Sequence, residues 1–300
     1  MGLTACGGGD SSKETSNKEK SSDGEKVLKT YFSDTPQTLN PHTTADNYEL
    51  LLDMSATLYR EVWDEETGAK TYVASLADGD PVCNDDEHKV WTIKVKDGYT
   101  FADGTEINAE TVEYSIKMLN DPKLANRNVN ATNFENGDAY LKGECDWEEV
   151  GFQAVDENTL EVTYAKNYEP ESEKDVKDLF CFVGTALVKP ELYESCLNED
   201  KTECSYGSSL ETFMASALYE PTSLIQGQYL ELTRRTKMER RLWRMSLHQI
   251  KWNIRRLQTR TQSYRCLKKV SLTRLSQTSR HTMNTMVHVM FIPSIITEFT

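Results

Sequence analysis

Alternating apolar and polar positions predict strands in three stretches of the chain. Residues 27–33 are short and β-rich, and residues 89–98 alternate up to an Asp-Gly turn. Residues 152–165 hold two alternating runs on either side of Asp156-Glu157-Asn158, which predicts a hairpin. Because the runs are short and bounded by turn residues, they indicate antiparallel features.

Apolar residues at helical spacing, together with helix-start signals, predict three helices. The first covers 48–62, and its apolar positions are Leu51, Met54, Leu58 and Val62. The second follows Asn108, a preferred N-cap, and its apolar positions are Val112, Ile116 and Leu119. Pro190 suits the start of a short third helix over 191–195. Helices and strands mix without a βαβ repeat, so the predicted class is α/β with a mixed sheet.

Charge divides the chain into two unlike parts. Residues 1–233 hold 19 Lys and Arg against 46 Asp and Glu, whereas residues 234–300 hold 15 against 2. The acidic body argues against nucleic acid as its partner. The basic tail, which contains "RRLWRMSLHQIKWNIRRLQTR", would suit nucleic acid or an acidic membrane surface if it acted alone. Such asymmetry indicates a tail with its own partner or a segment of different origin.

The sequence shows no recognisable catalytic motif. The seven cysteines show no metal-ligand spacing, and free thiols and disulfides both remain open for them. His42 and His88 have no partners at metal spacing, and no glycine-rich phosphate loop occurs. The acidic pairs Asp85-Asp86 and Glu65-Glu66 suit solvated loops. We therefore expect neither an enzyme nor a cofactor.

The N-terminus resembles the processed end of a bacterial lipoprotein. Leu3-Thr4-Ala5-Cys6 is similar to a lipobox, in which the Cys6 thiol takes a diacylglycerol, and polar residues follow up to Lys26. Such a composition predicts a disordered tether. The alternative is a chance tetrapeptide. The basic and apolar regions of a signal peptide are missing before Leu3, so export is not expected for the chain as written.

Five segments, in order, carry a family resemblance: "TLNPH" (38–42), "LYREVWDEETG" (58–68), residues 74–119, "VDENTLEVTY" (155–164) and "LVKPELYE" (187–194). They resemble the family 5 extracellular solute-binding proteins of ABC transporters. This is the oligopeptide- and dipeptide-binding group, which also includes nickel binders. The lipobox and the tether are also typical of such proteins in Gram-positive bacteria.

The resemblance implies a periplasmic-binding-protein-like clamp of two lobes that closes on a ligand. The first lobe has a central α/β domain with a second domain inserted in it, and the second lobe is expected to be missing here. The implied divisions are a lipobox remnant and tether (1–26), the start of the central domain (27–65), the inserted domain (66–183), the return to the central domain (184–233) and a poorly packed tail (234–300).

The resemblance also implies what the protein binds. Its ligand would be a peptide held largely through its backbone, and its partners would be the permease subunits of an ABC importer. A lipid on Cys6 would anchor the protein to the extracellular face of the membrane. The loop after "NPH" would face the cleft, which makes Thr43, Thr44, Ala45, Asp46 and Asn47 the candidate ligand contacts. An ordinary surface loop is the alternative for these five residues.

The basic tail departs from the family pattern. The expected "W-x-G" and "kGEiD" segments are absent, although Ile250–Ile254 fits a family strand. Codons permitted for residues 238–245 and 265–300 can give "WNGAYGE" and "EKGELD" in a shifted frame, and both strings resemble the missing segments. We therefore predict changes of reading frame beyond about residue 233, which resequencing of the gene tests. The alternatives are a nucleic-acid- or membrane-binding tail, and a nickel-binding member of the family.

Overall fold

The computed structural model describes residues 27–30, 38–44, 48–64, 67–225 and 229–235. The helices in these ranges are α1 (Tyr48–Met54), α2 (Ala109–Asn120), α3 (Gly137–Leu141), α4 (Glu173–Leu179) and α5 (Pro190–Ser195). The strands are β1 (Val27–Thr30), β2 (Tyr59–Trp63), β3 (Lys70–Ala74), β4 (Val82–Cys83), β5 (Val90–Lys94), β6 (Phe152–Asp156), β7 (Thr159–Thr163), β8 (Tyr219–Ile225) and β9 (Tyr229–Arg234). Single 3₁₀ turns cover Ala131–Asn133, Trp147–Glu149 and Val183–Thr185.

Helix α2 confirms the predicted start at Asn108. The Asn108 side chain accepts a hydrogen bond from the Thr111 backbone N–H at 3.0 Å, and the Thr111 hydroxyl accepts one from the Asn108 N–H at 3.4 Å. This reciprocal capping satisfies two N–H groups that an open helix end would leave unpaired. The predicted apolar stripe is buried: Val112 and Ile116 are each 1% exposed, and Leu119 is 0% exposed.

The predicted hairpin and the predicted strand at 89–98 belong to one antiparallel sheet of four strands, in the order β4-β5-β7-β6. Strand β7 lies between its partners, so Val162 is paired with Trp91 on one side and with Phe152 on the other. The register shifts between Ala154 and Asp156, an irregularity of the kind that a β-bulge produces. The inward side chains of these strands form part of the larger hydrophobic core.

The helix predicted over 48–62 is wrong beyond Met54. After the end of α1, Tyr59–Trp63 pairs with Lys70–Ala74 as an antiparallel two-stranded sheet. Leu58 and Val62 are four residues apart, a spacing that fits one face of a helix and also one face of a strand. The strand partner arrives from later in the chain, and the aromatic and β-branched residues of β2 suit that pairing.

Sheet β1-β9-β8 joins distant parts of the chain, since Val27 is paired with Thr233. All pairings among the described strands are antiparallel. Two hydrophobic cores lie within the described residues, one around the four-stranded sheet and one around α1, α5 and β9. Helix α2 contributes Ile116 to the first and Met118 to the second, and so it ties the two cores together.

The packed body includes Arg235, the residue after β9. Its side chain donates to the Ala217 carbonyl at 3.0 Å and to the Thr100 carbonyl at 2.7 Å, and the residue is 8% exposed. These bonds offset the cost of burying the guanidinium group. The predicted lipobox at Cys6, the tether up to Lys26 and residues 236–300 of the predicted tail (234–300) lie outside the described residues.

Candidate ligand-binding site

The Asn-Pro-His turn, residues 38–44, precedes α1 and is folded by its own polar groups. The Thr38 hydroxyl accepts from the Asn40 N–H at 3.0 Å, and the Asn40 side-chain oxygen accepts from the His42 N–H at 3.0 Å. The Asn40 carbonyl accepts from the Thr44 N–H at 3.2 Å. Pro41 restricts the backbone between them. These bonds and the fixed φ of the proline fold the segment into a tight turn.

Gly207 anchors one side of this turn. Its carbonyl accepts from the Leu39 N–H at 2.8 Å and from the Thr38 hydroxyl at 3.4 Å. Gly207 has a φ of +73°, and a Cβ placed on it would lie 2.4 Å from the Asn40 nitrogen. Only glycine combines that conformation with so close an approach of two backbones.

His42 fastens the turn to the core. Its ring is 0% exposed, its Nδ1 lies 3.4 Å from the Tyr193 hydroxyl oxygen, and the two ring centroids are 5.5 Å apart. Burial lowers the pKa of His42 from 6.5 to about 3, although the nearby Ala186 backbone acts in the opposite direction. The ring is thus neutral in the folded protein, and it serves as a core residue.

Asn128 holds the other side of the turn. It comes from the loop after α2, and its side-chain nitrogen donates to the carbonyls of Pro41 at 3.4 Å and Thr44 at 3.3 Å. The 3₁₀ turn Val183–Thr185 packs closely behind it, because a Cβ on Gly184 would lie 2.7 Å from the Asn128 Cβ. The Asn128 side-chain amide therefore links Pro41 to Thr44 at the end of the turn.

The structure separates the five candidate ligand contacts. Thr43 is exposed at the tip of the turn, whereas Thr44 is 5% exposed and its carbonyl accepts from Asn128. Ala45, Asp46 and Asn47 lie outside the described residues. Asn128 and Gly207, which support the turn, were missed by the sequence analysis. They lie 84 or more positions from the residues that they contact, and no local pattern marks them.

Replacing Asn128 with alanine is expected to loosen the turn while the fold remains. The loss of two long hydrogen bonds should cost about 1 kcal/mol, so the Thr44 amide should exchange its hydrogen about fivefold faster. Hydrogen exchange followed by mass spectrometry measures this. Asn84→Ala is the matched control, since it removes the bond from Asn84 to the Thr92 hydroxyl elsewhere on the surface. Unchanged exchange over 42–44 in Asn128→Ala would show that the Asn128 amide does not hold the turn.

Groups of three or more His, Cys, Asp and Glu side chains arranged to hold a metal ion are absent among the described residues. His88, the other histidine considered above, is exposed, with a φ of +57° and its ring against Trp91. Its carbonyl accepts from the Trp91 ring nitrogen at 2.9 Å. In the part of the chain that the structure covers, no helix has the length and hydrophobicity needed to cross a membrane.

A sequence model of the bacterial extracellular solute-binding proteins, family 5 (Middle), matches residues 71–262 of this chain. The match spans more than half of the chain, and the chain belongs to this family. The matched range includes residues 234–262 of the basic tail. A search of curated protein sequences found no match.

Solved structures of oligopeptide-binding proteins share the fold. The substrate-binding domain of an oligopeptide ABC transporter from Bacillus anthracis has a TM-score of 0.57 at 19% identity, with 69% of this chain and 37% of that chain covered. OppA from Haemophilus influenzae in complex with RPPGFSPFR has a TM-score of 0.57 at 19% identity, with 68% and 37% covered. OppA from Listeria monocytogenes bound to peptide has a TM-score of 0.53 at 21% identity, with 64% and 35% covered.

These likenesses establish the periplasmic-binding-protein-like fold for the described part of the chain, and they confirm the predicted α/β class. The chain spans 35% to 37% of the length of these three solved proteins.

Proposed function

We propose that this protein captures peptides for an ABC importer and carries out no chemistry. The observation that carries the proposal is the Asn-Pro-His turn, which is braced on one side by Gly207 and on the other by Asn128 while Thr43 stays exposed. A braced turn with an accessible tip can present backbone groups to a ligand at little cost in entropy. Family membership supports the proposal, and so do the peptide complexes of the solved Listeria and Haemophilus proteins.

The proposed ligand contacts are Thr43, Ala45, Asp46 and Asn47. Thr44, the remaining residue of the expected set, is buried and has its N–H and carbonyl bonded to Asn40 and Asn128, so it holds the turn and contacts no ligand in this proposal. The four proposed contacts bind the backbone of an extended peptide, as one strand binds another, and the peptide side chains enter wet pockets. Backbone recognition tolerates many peptide sequences because every residue offers the same N–H and C=O groups. The opposite wall of the cleft would come from a second lobe.

The proposed partners follow from the importer role. They are the permease subunits of the transporter, with the protein held on the extracellular face of the membrane by a lipid on Cys6. We also propose that the family sequence is interrupted by changes of reading frame beyond about residue 233, and that the chain is a defective fragment of such a protein. The shifted-frame "WNGAYGE" and "EKGELD" strings support this part of the proposal.

Titration of the full chain with a pool of short peptides tests the function. Calorimetry should detect saturable binding that changes little between low and high salt, because backbone hydrogen bonds carry it. Replacement of 43–47 by glycine and serine should abolish binding, whereas the same change at the exposed residues 86–88 should not. A version of the protein with the reading frame restored is titrated in parallel, because it would include the proposed second lobe, which forms the opposite wall of the cleft.

Three results would overturn the proposal. One is an absence of peptide binding in both versions. Another is binding of Ni²⁺ alone, which would favour the nickel-binding alternative. The third is binding to DNA or anionic vesicles that falls steeply with salt, since release of counterions is the signature of a phosphate or membrane-surface partner.

A further inference from the structure

Two cysteines face each other across the return of the chain after α5. Cys196 ends the helix, and Cys204 follows the short loop 197–203. An antiparallel bridge pairs Leu197 with Cys204, and the Ser205 N–H donates to the Cys196 carbonyl at 2.9 Å. The backbones of the two cysteines therefore lie side by side, although both thiols are free in the structure.

The two cysteines also converge on one backbone atom, the carbonyl oxygen of Tyr193. The Cys196 N–H donates to it at 3.0 Å, and the Cys204 thiol donates to it at 3.9 Å. The Cys196 nitrogen and the Cys204 sulfur are thus within about 7 Å of each other. In a disulfide the two Cα atoms are roughly 4.4–6.8 Å apart, a separation of the same order.

The conformation of Cys196 removes the usual objection to such a pair. In a regular antiparallel ladder, Cys196, which is one position from the directly opposed pair of Leu197 and Cys204, would point to the face opposite to Cys204. Cys196 is not extended, because its φ of -92° and ψ of -7° are helical. Both side chains contribute to the same hydrophobic core, where Cys196 is 8% exposed and Cys204 is half-buried.

We propose that Cys196 and Cys204 are a disulfide-forming pair that closes the 197–203 loop when the protein is oxidised. The loop is already drawn together without the covalent bond, since the Asn198 N–H donates to the Glu203 carbonyl at 3.0 Å. The family is extracellular, and disulfides persist in such oxidising surroundings. Formation of this bond does not require that the protein binds a peptide.

The reaction is a thiol–disulfide exchange with a small disulfide such as oxidised glutathione. The thiolate of one cysteine attacks a glutathione sulfur, which forms a mixed disulfide and releases one glutathione thiolate. The second cysteine thiolate then attacks the protein sulfur of the mixed disulfide and releases the second glutathione. Two protein thiols are oxidised, one glutathione disulfide is reduced to two thiols, and two protons leave the protein.

Peptide mapping tests the pair on the full chain after incubation with oxidised glutathione. Trypsin cuts after Lys201, inside the loop, and separates peptide 178–201 from peptide 202–234. The expected result is a linked pair of these peptides, which reduction separates. Because peptide 178–201 also carries Cys181, fragmentation spectra and a Cys181→Ser variant assign the bond to Cys196.

The variants supply the control and the stability readout. Cys196→Ser should abolish the link and leave Cys204 as a glutathione adduct. Oxidation of the unaltered chain should raise the melting temperature by roughly 5 °C, because the disulfide lowers the conformational entropy of the unfolded chain. The Cys196→Ser variant should show no such rise. Separate glutathione adducts on both cysteines of the unaltered chain, or a link from Cys204 to any other cysteine, would overturn the pair.

Discussion

Replacing Gly207 with alanine is expected to destabilise the protein by about 4 kcal/mol, a large part of the stability of a typical domain. Two costs add. A side chain at a φ of +73° is strained by about 1 kcal/mol. In addition, the new Cβ would lie 2.4 Å from the Asn40 nitrogen and 2.6 Å from the Leu39 carbonyl carbon, so the turn must move away. Urea unfolding measures the loss.

Gly143→Ala is the matched control for this prediction. Gly143 has nearly the same φ, +74°, and a Cβ placed on it would meet nothing within 4 Å. It should therefore carry only the cost of the backbone conformation, about 1 kcal/mol. The difference between the two variants isolates the contact between Gly207 and the Asn-Pro-His turn. Equal losses in both would show that this close approach does not constrain the turn.

Acidification is expected to weaken the fold through His42, by about 2 kcal/mol between pH 7 and pH 5. The pKa of His42 is about 3 in the folded protein, against 6.5 in the unfolded chain. Between these values the unfolded chain binds a proton that the folded protein does not. Stability is therefore complete above pH 6.5, declines as the pH falls, and reaches its full loss near pH 3.

A His42→Gln variant separates this effect from the titration of carboxylates. Glutamine stays neutral at every pH, so the difference in unfolding free energy between the variant and the unaltered chain should shrink by about 2 kcal/mol from pH 7 to pH 5. His88→Gln, at an exposed position, should leave the pH dependence of the unaltered chain nearly intact. Parallel pH profiles for His42→Gln and the unaltered chain would show that the His42 ring becomes charged within the fold.

Local rules explain the elements that were predicted well. The capped start of α2 depends on Asn108 and Thr111, which are three positions apart, and the hairpin depends on the turn between β6 and β7. The helix at Pro190 likewise follows from its first residue. Each signal acts within a few residues, so it can be recognised without knowledge of the rest of the chain.

The sequence misled, or gave no prediction, where distant residues decide the conformation. The segment after Met54 has a spacing that suits a helix or a strand, and pairing with β3 selects the strand. Strand β9 becomes the centre of its sheet because β1, about 200 positions earlier in the chain, pairs with one edge of it. Such pairings depend on which segments meet in space.

The sequence by itself determined the α/β class, the family, the capped helix α2 and the hairpin. Only the tertiary structure decided how the Asn-Pro-His turn is bonded and held. Gly207 and Asn128 bond to it from 169 and 84 positions away, and His42, which has no distinguishing neighbours in sequence, becomes a neutral core residue against Tyr193. The physical reason is that burial and close approach are properties of surfaces brought together by folding, whereas turns and caps are properties of neighbouring residues.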